Sequence, residues 1–327
     1  MPTDLLLPQA ADRDLTALGV RAESLDYDGV WLGELWGHNA AVQLADIAAR
    51  TDEVAIGTAI LNVFSRTPAV LAMTAGSLQD VSDGRFRLGV GTSTEKAIED
   101  LHGMDWEDPN PVRRAHETIE LTSAFLGGEG RIEYDGEVFS VQDFPALGVD
   151  VPIYHAALGP ANRRVVARLA DGWIPHNVPF PDLEEAYATI EETMSEAGRE
   201  GPIEVAPYVP AAVADDPADA KDAIRRHVAY YVGNGEGYER AVARRFPEGA
   251  EAVASAWRAG DRDRAAGNVT DEMVEALGVA GAPEEARRQF AEIAAIDPVT
   301  RPMVTIPSNT SEEVMDRTIE ALAPANR

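Results

Sequence analysis

Two short stretches of small residues, Gly91-Thr92-Ser93 and Gly159-Pro160-Ala161-Asn162, each separate an apolar segment from one with helical spacing. Such turns leave backbone N–H groups free at a helix start, where the donors and the helix dipole attract a phosphate. Arg163 and Arg164 follow the second turn and could add positive charge. Each turn alone reads equally well as punctuation or as a phosphate-binding turn. A third apolar segment is followed by Glu34-Leu35-Trp36-Gly37-His38. Glu34 could act as an acid if burial raises its pKa, and His38 as a base. A salt-bridged Glu34 and a structural His38 are the competing readings. Gln9, Trp36, His155, His176 and Asn177 stand at further segment ends, where polar and aromatic side chains can line a pocket. No metal is expected, because the six histidines are scattered without a His-x-x-x-His pair. The chain has no cysteine, which excludes disulfides and thiolate chemistry, and it lacks the Gly-x-Ser-x-Gly turn of a serine hydrolase.

These residues need strands and helices to position them. Residues 55–93 read as strand, helix, strand and glycine-rich turn, with Thr67-Pro68 opening the helix and Ser82-Asp83-Gly84 closing it. Two buried strands joined by a helix make a βαβ unit and a parallel sheet. Further strands are expected at 4–8, 29–33, 151–155, 171–174, 203–213 and 302–306, with helices between them. Eight alternations argue for one (β/α)8 barrel spanning 1–327 as a single α/β domain, with its site at the C-terminal strand ends. Two insertions interrupt the pattern. One is a hairpin near 130–141, turning at Asp135-Gly136; the other is helical, near 233–281.

The run from Ile56 to Ser93, IGTAILNVFSRTPAVLA followed by LQDVSDGRFRLGVGTS, resembles the central signature of the luciferase-like monooxygenase superfamily. It is most similar to the branch of oxidoreductases that use coenzyme F-420, an 8-hydroxy-5-deazaflavin. The resemblance implies a bulge with a cis peptide at Ala59–Ile60 behind the cofactor ring. It also implies cofactor contacts from Ala59, Ile60, Asn62, Gly91, Thr92, Ser93, Ala157, Gly159 and Pro160. Many relatives carry a histidine after the acid at Glu34, and here that position is Leu35. The loss of this general base favours a reductase over an alcohol dehydrogenase. Within the branch the pattern resembles reductases of methylene-tetrahydropterins, so such a pterin, or a folate, is the implied acceptor. An FMN-dependent monooxygenase and a non-catalytic barrel subunit are the alternatives. The resemblance also implies a homodimer or a higher homo-oligomer.

Composition narrows the partners. The 327 residues include 56 acidic and 28 basic ones, a formal net charge of −28, and only Lys96 and Lys221 are lysines. Such a charge opposes nucleic-acid binding and suits a cytoplasmic protein of a salt-rich cell, where ions screen self-repulsion. No apolar stretch is long enough for a membrane span, and the first residues do not read as a signal peptide.

Overall fold

The computed structural model describes residues 1–8, 13–35, 37–107, 110–128, 130–308 and 310–326; Gln9 and Trp36 lie outside the described residues. Eight parallel strands make the central sheet: β1 (Asp4–Leu6), β2 (Gly29–Leu32), β3 (Ala55–Thr58), β4 (Phe86–Gly91), β5 (Ile153–Ala156), β6 (Gly172–Ile174), β7 (Tyr208–Val213) and β8 (Met303–Thr305). They pair in chain order, and β1 also pairs with β8, Leu5 opposite Val304. Closure between β6 and β7 uses one continuous segment. Glu204–Val205 pairs with β6, and the Tyr208 N–H still reaches Pro175 O at 3.0 Å while β7 pairs with β8. The expected strand at 203–213 is therefore interrupted at Ala206-Pro207, where proline offers no N–H to a ladder. The sheet is a closed (β/α)8 barrel.

Strand alternation divides the core in two. Leu6, Trp31, Tyr154, Ile174, Tyr208 and Met303 pack inside the barrel. Leu5, Val30, Ile56, Leu88 and Ile153 face the surrounding helices. Two glycines make room for the large interior rings. A Cβ on Gly57 would stand 2.4 Å from the Trp31 ring, and one on Gly172 would stand 2.0 Å from Tyr154. The Asp4 carboxylate accepts from Trp31 Nε1 at 2.7 Å and from Arg301 at 2.8 and 3.1 Å.

The helices are α1 (Leu15–Ser24), α2 (Ala40–Ala48), α3 (Pro68–Val81), α4 (Pro111–Gly127), α5 (Pro160–Leu169), α6 (Leu183–Ala197), α7 (Pro217–Asn234), α8 (Glu236–Ala243), α9 (Pro247–Arg258), α10 (Arg262–Gly267), α11 (Asp271–Leu277), α12 (Pro283–Ala294) and α13 (Glu312–Ala321). Local chemistry starts them: Thr67, Asn39 and Asn110 accept from first-turn N–H groups of α3, α2 and α4. Helices α8 to α11 are the expected helical insertion. Its last residues, Val279–Gly281, form a strand paired with the upper half of β7.

The other insertion differs from expectation. Its strands are Arg131–Asp135 and Ser140–Pro145, so the turn spans 136–139 rather than Asp135-Gly136 alone. The reason lies on α4. Buried Glu117 accepts from the backbone N–H groups of Glu137, Val138 and Phe139 at 2.8, 2.9 and 3.0 Å, and so holds the loop open. These donors and Arg113 hold its carboxyl below the usual range against the opposing effect of burial.

Candidate active site

At the C-terminal end of the barrel, β3 carries one residue too many. Ile56 stands opposite Phe86, but Leu61 stands opposite Val90, so a one-residue bulge separates the two registers. The bulge holds the Ala59–Ile60 peptide bond, which is cis. Neighbours fasten it on three sides: Ala59 N donates to Leu32 O at 2.9 Å, Glu34 N donates to Ile60 O at 3.3 Å, and the Tyr208 hydroxyl donates to Ala59 O at 2.5 Å. Beyond the bulge, buried Asn62 accepts from the N–H groups of Phe64 and Ser65 and meets His102 Nε2 at 3.2 Å. Trp106 stacks on Phe64 with ring centroids 5.5 Å apart. The loop after β4 is thereby pinned to the loop after β3.

The two small-residue turns sit beside each other on β4 and β5, where Gly91 pairs with Ala156. Ser93 is left-handed, with φ 66°, and the hydroxyls of Thr92 and Ser93 have no partner among the described residues. Gly159 precedes α5, and no side chain caps that helix, so its first N–H groups stay open. A Cβ on Gly159 would meet nothing within 4 Å, whereas one on Gly91 would stand 3.1 Å from Ile60. Pro160 supplies the first helical residue, and the Ala157 carbonyl accepts from Trp173 Nε1 at 2.8 Å. Open donors and bare backbone on adjacent turns fit a phosphate.

His155 corrects the sequence reading. Tyr154 takes the interior side of β5, so His155 faces the helices, fully buried. Its Nδ1 lies 3.1 Å from Val90 O and its Nε2 lies 3.4 Å from Asn162 Oδ1. It ties the strand end to the start of α5 instead of lining the mouth. Arg163 is likewise turned inward, donating to Ala186 O at 2.7 Å, while Arg164 is exposed.

Glu34 is engaged by Arg66 through both oxygens, at 2.5 and 2.9 Å, and accepts from Ala40 N–H at the start of α2. This geometry is that of the salt-bridged reading. His38 is exposed on the same loop.

His176 and Asn177 follow β6, both more than nine-tenths buried. Around His176 stand the rings of Tyr231, Tyr208, Tyr238 and His227, with centroids at 4.2, 4.5, 5.3 and 5.7 Å. His227 and Tyr231 come from α7 and Tyr238 from α8, so α7 and the first helix of the insertion together close over the barrel mouth. Sequence reading missed these three; their signal was the four-residue spacing of His227 and Tyr231 on an otherwise ordinary helix. The cluster is uncharged. Burial holds His227 down at about 4 and His176 well below its usual range, with the neighbouring imidazole adding to the effect on His176. It pushes Tyr238 up to about 12 and raises Tyr208 and Tyr231 as well. His176 Nε2, His227 Nε2 and both amide atoms of Asn177 are buried without a hydrogen-bond partner. Unpaired polar atoms at such depth are costly, and they fit a bound organic group that would satisfy them.

Among the described residues, no three His, Asp or Glu side chains cluster as a metal-ligand set. No helix among the described residues is long and apolar enough to cross a membrane.

The comparisons with known proteins agree with this architecture. Residues 3–297 match the luciferase-like monooxygenase family. The chain is 30% identical over 280 residues to a 5,10-methylenetetrahydromethanopterin reductase of Methanolobus tindarius, covering 83% of this chain and 84% of that one. It is 34% identical over 207 residues to an F-420-dependent glucose-6-phosphate dehydrogenase of Microbacterium testaceum, covering 58% and 61%. Its fold superimposes on the F-420-dependent tetrahydromethanopterin reductase of Methanopyrus kandleri with a TM-score of 0.79 at 24% identity, over 99% and 97% of the two chains. The chain belongs to the luciferase-like monooxygenase family.

Proposed function

We propose that this protein is an F-420-dependent reductase that transfers a hydride to a methylene-tetrahydropterin or a methylene-tetrahydrofolate. The observation that carries the reading is the meeting, at one barrel end, of the bulge at Ala59–Ile60 with the uncharged His176–Asn177–His227 cluster. A relative named as an F-420-dependent glucose-6-phosphate dehydrogenase and a solved structure named as an F-420-dependent tetrahydromethanopterin reductase support the cofactor assignment. The hydride chemistry belongs to the bound deazaflavin. The open N–H groups of α5 and the Thr92 and Ser93 hydroxyls would hold its phosphate, and the bulge would back its ring. His176 Nε2 and the Asn177 amide are free to hydrogen-bond the acceptor, while Tyr231 and Tyr238 keep water out. Glu34, paired with Arg66, fixes the loop after β2. With Leu35 following it, the loop offers no adjacent imidazole for alcohol oxidation.

The test is anaerobic oxidation of the reduced coenzyme by each methylene carrier, followed by loss of the reduced form. Turnover with one carrier, and a drop of about a hundredfold in His176→Ala, is expected. Turnover with simple secondary alcohols alone would overturn the acceptor assignment.

A further inference from the structure

Arginine is scarce in this chain relative to carboxylate, yet three arginines share one groove. α4 and α5 pack side by side. Between their outer faces runs a groove of about 350 Å³ lined by Arg113, His116, Arg164 and Arg168. Its upper end is formed by Asn110, the cap of α4, and Ala161, in the first turn of α5. Ala161 lies two residues from Gly159, so the groove opens beside the proposed phosphate turn. Arg113 is held by buried Glu117 at 2.7 Å and lies 3.4 Å from Glu137, and His116 lies 3.8 Å from Glu120. Arg164 and Arg168 are one helical turn apart, exposed, and form no ion pair among the described residues. In a chain with 56 acidic residues against 28 basic ones, these two arginines leave uncompensated positive charge in the groove.

We infer that this groove binds the carboxylate-bearing tail of the coenzyme, and the inference rests on the F-420 reading above. Beyond its phosphate, that coenzyme continues as a chain of glutamates, a flexible oligo-anion. A protein with a net charge of −28 repels such a chain at most of its surface. A guanidinium fork matches a carboxylate with two parallel hydrogen bonds, which a single lysine cannot do. The groove begins where the phosphate would be held and leads away from the barrel mouth along α5, so a tail can follow it without crossing the acceptor side. FMN ends at its phosphate and would leave the groove empty. The same arginines therefore favour the deazaflavin over FMN.

The experiment measures dissociation constants by quenching of deazaflavin fluorescence, for the coenzyme with long and short glutamate tails and for the deazaflavin riboside that lacks phosphate and tail. The unsubstituted protein and the double variant Arg164→Gln/Arg168→Gln are compared, both checked for an unchanged thermal midpoint. Affinity in the unsubstituted protein is expected to rise with tail length. The double variant is expected to lose about tenfold for the long-tailed coenzyme, far less for the shortest, and the loss should shrink as KCl is raised. Equal affinity of the two proteins for every tail length, or a loss independent of tail length, would overturn the tail assignment while leaving the cofactor reading intact. Failure of every deazaflavin to bind the unsubstituted protein would overturn both.

Discussion

His176 and His227 stand 5.7 Å apart across the barrel mouth, and their neutrality is a property of the fold. Unfolding returns each imidazole to its ordinary value of about 6.5. From about pH 6.5 down to about 4, the value at which burial holds His227, the unfolded chain takes up protons that the folded chain refuses. Stability is therefore full above pH 6.5 and is lost on acidification, by up to about 1.4 kcal/mol per pH unit for each such histidine. Replacing His227 by Leu removes one of these titrations. Between about pH 7 and pH 5, urea unfolding is expected to show a stability loss smaller by about 2 kcal/mol in the variant. An equal loss in both proteins would show that His227 already titrates normally when folded. At this scale the sequence was legible in part. His176 and Asn177 follow an apolar strand and were placed by that alone. His155 was misjudged because one residue of strand parity decides which side of the barrel a side chain takes, and Tyr154 occupies the inside.

At the scale of elements, β3 and β4 and the helix between them were readable from periodicity and capping, down to Thr67-Pro68 and the turn at 82–84. The bulge was anticipated only through family resemblance, since no residue type in Ala59-Ile60-Leu61 demands it. The hairpin shows the opposite limit. Asp135-Gly136 favours a tight turn locally, and Glu117, distant in sequence, imposes a wider one through three backbone N–H groups. Glu117→Ala should strand those donors and cost about 3 kcal/mol of stability. Hydrogen exchange is expected to show residues 137–139 losing protection first; unchanged protection there would mean that the loop does not depend on α4. The barrel helix α7 and the insertion helix α8 were legible as helices, but their role as a cover for the mouth depends on tertiary packing of Tyr231 and Tyr238 against His176.

For the molecule as a whole, barrel closure depends on the buried end of β1. Asp4 and Arg301 form a buried ion pair that also accepts from Trp31. Asp4→Ala leaves the guanidinium uncompensated and is expected to cost about 3–5 kcal/mol, whereas replacing both partners by apolar residues should recover most of it. Urea midpoints measure the difference, and a small loss in Asp4→Ala would show that Arg301 finds water or another acceptor. The net charge of −28 adds self-repulsion over the entire surface. Raising KCl from about 0.1 M to about 1 M shortens the screening length from about 10 to 3 Å, so the thermal midpoint should rise; a flat or falling midpoint would exclude a salt-adapted surface. Barrel topology was legible because eight strand and helix alternations leave few alternatives. The ligand was not, because no composition distinguishes a deazaflavin from a flavin. The most direct test is titration of the protein with coenzyme F-420 and with FMN, repeated on Gly159→Val. A Cβ at Gly159 would touch no protein atom within 4 Å, so the fold should tolerate the substitution. Tight binding of the deazaflavin, much weaker binding of FMN and loss of deazaflavin affinity in Gly159→Val are expected. Preference for FMN, or undiminished deazaflavin affinity in that variant, would contradict the cofactor site proposed at this barrel end.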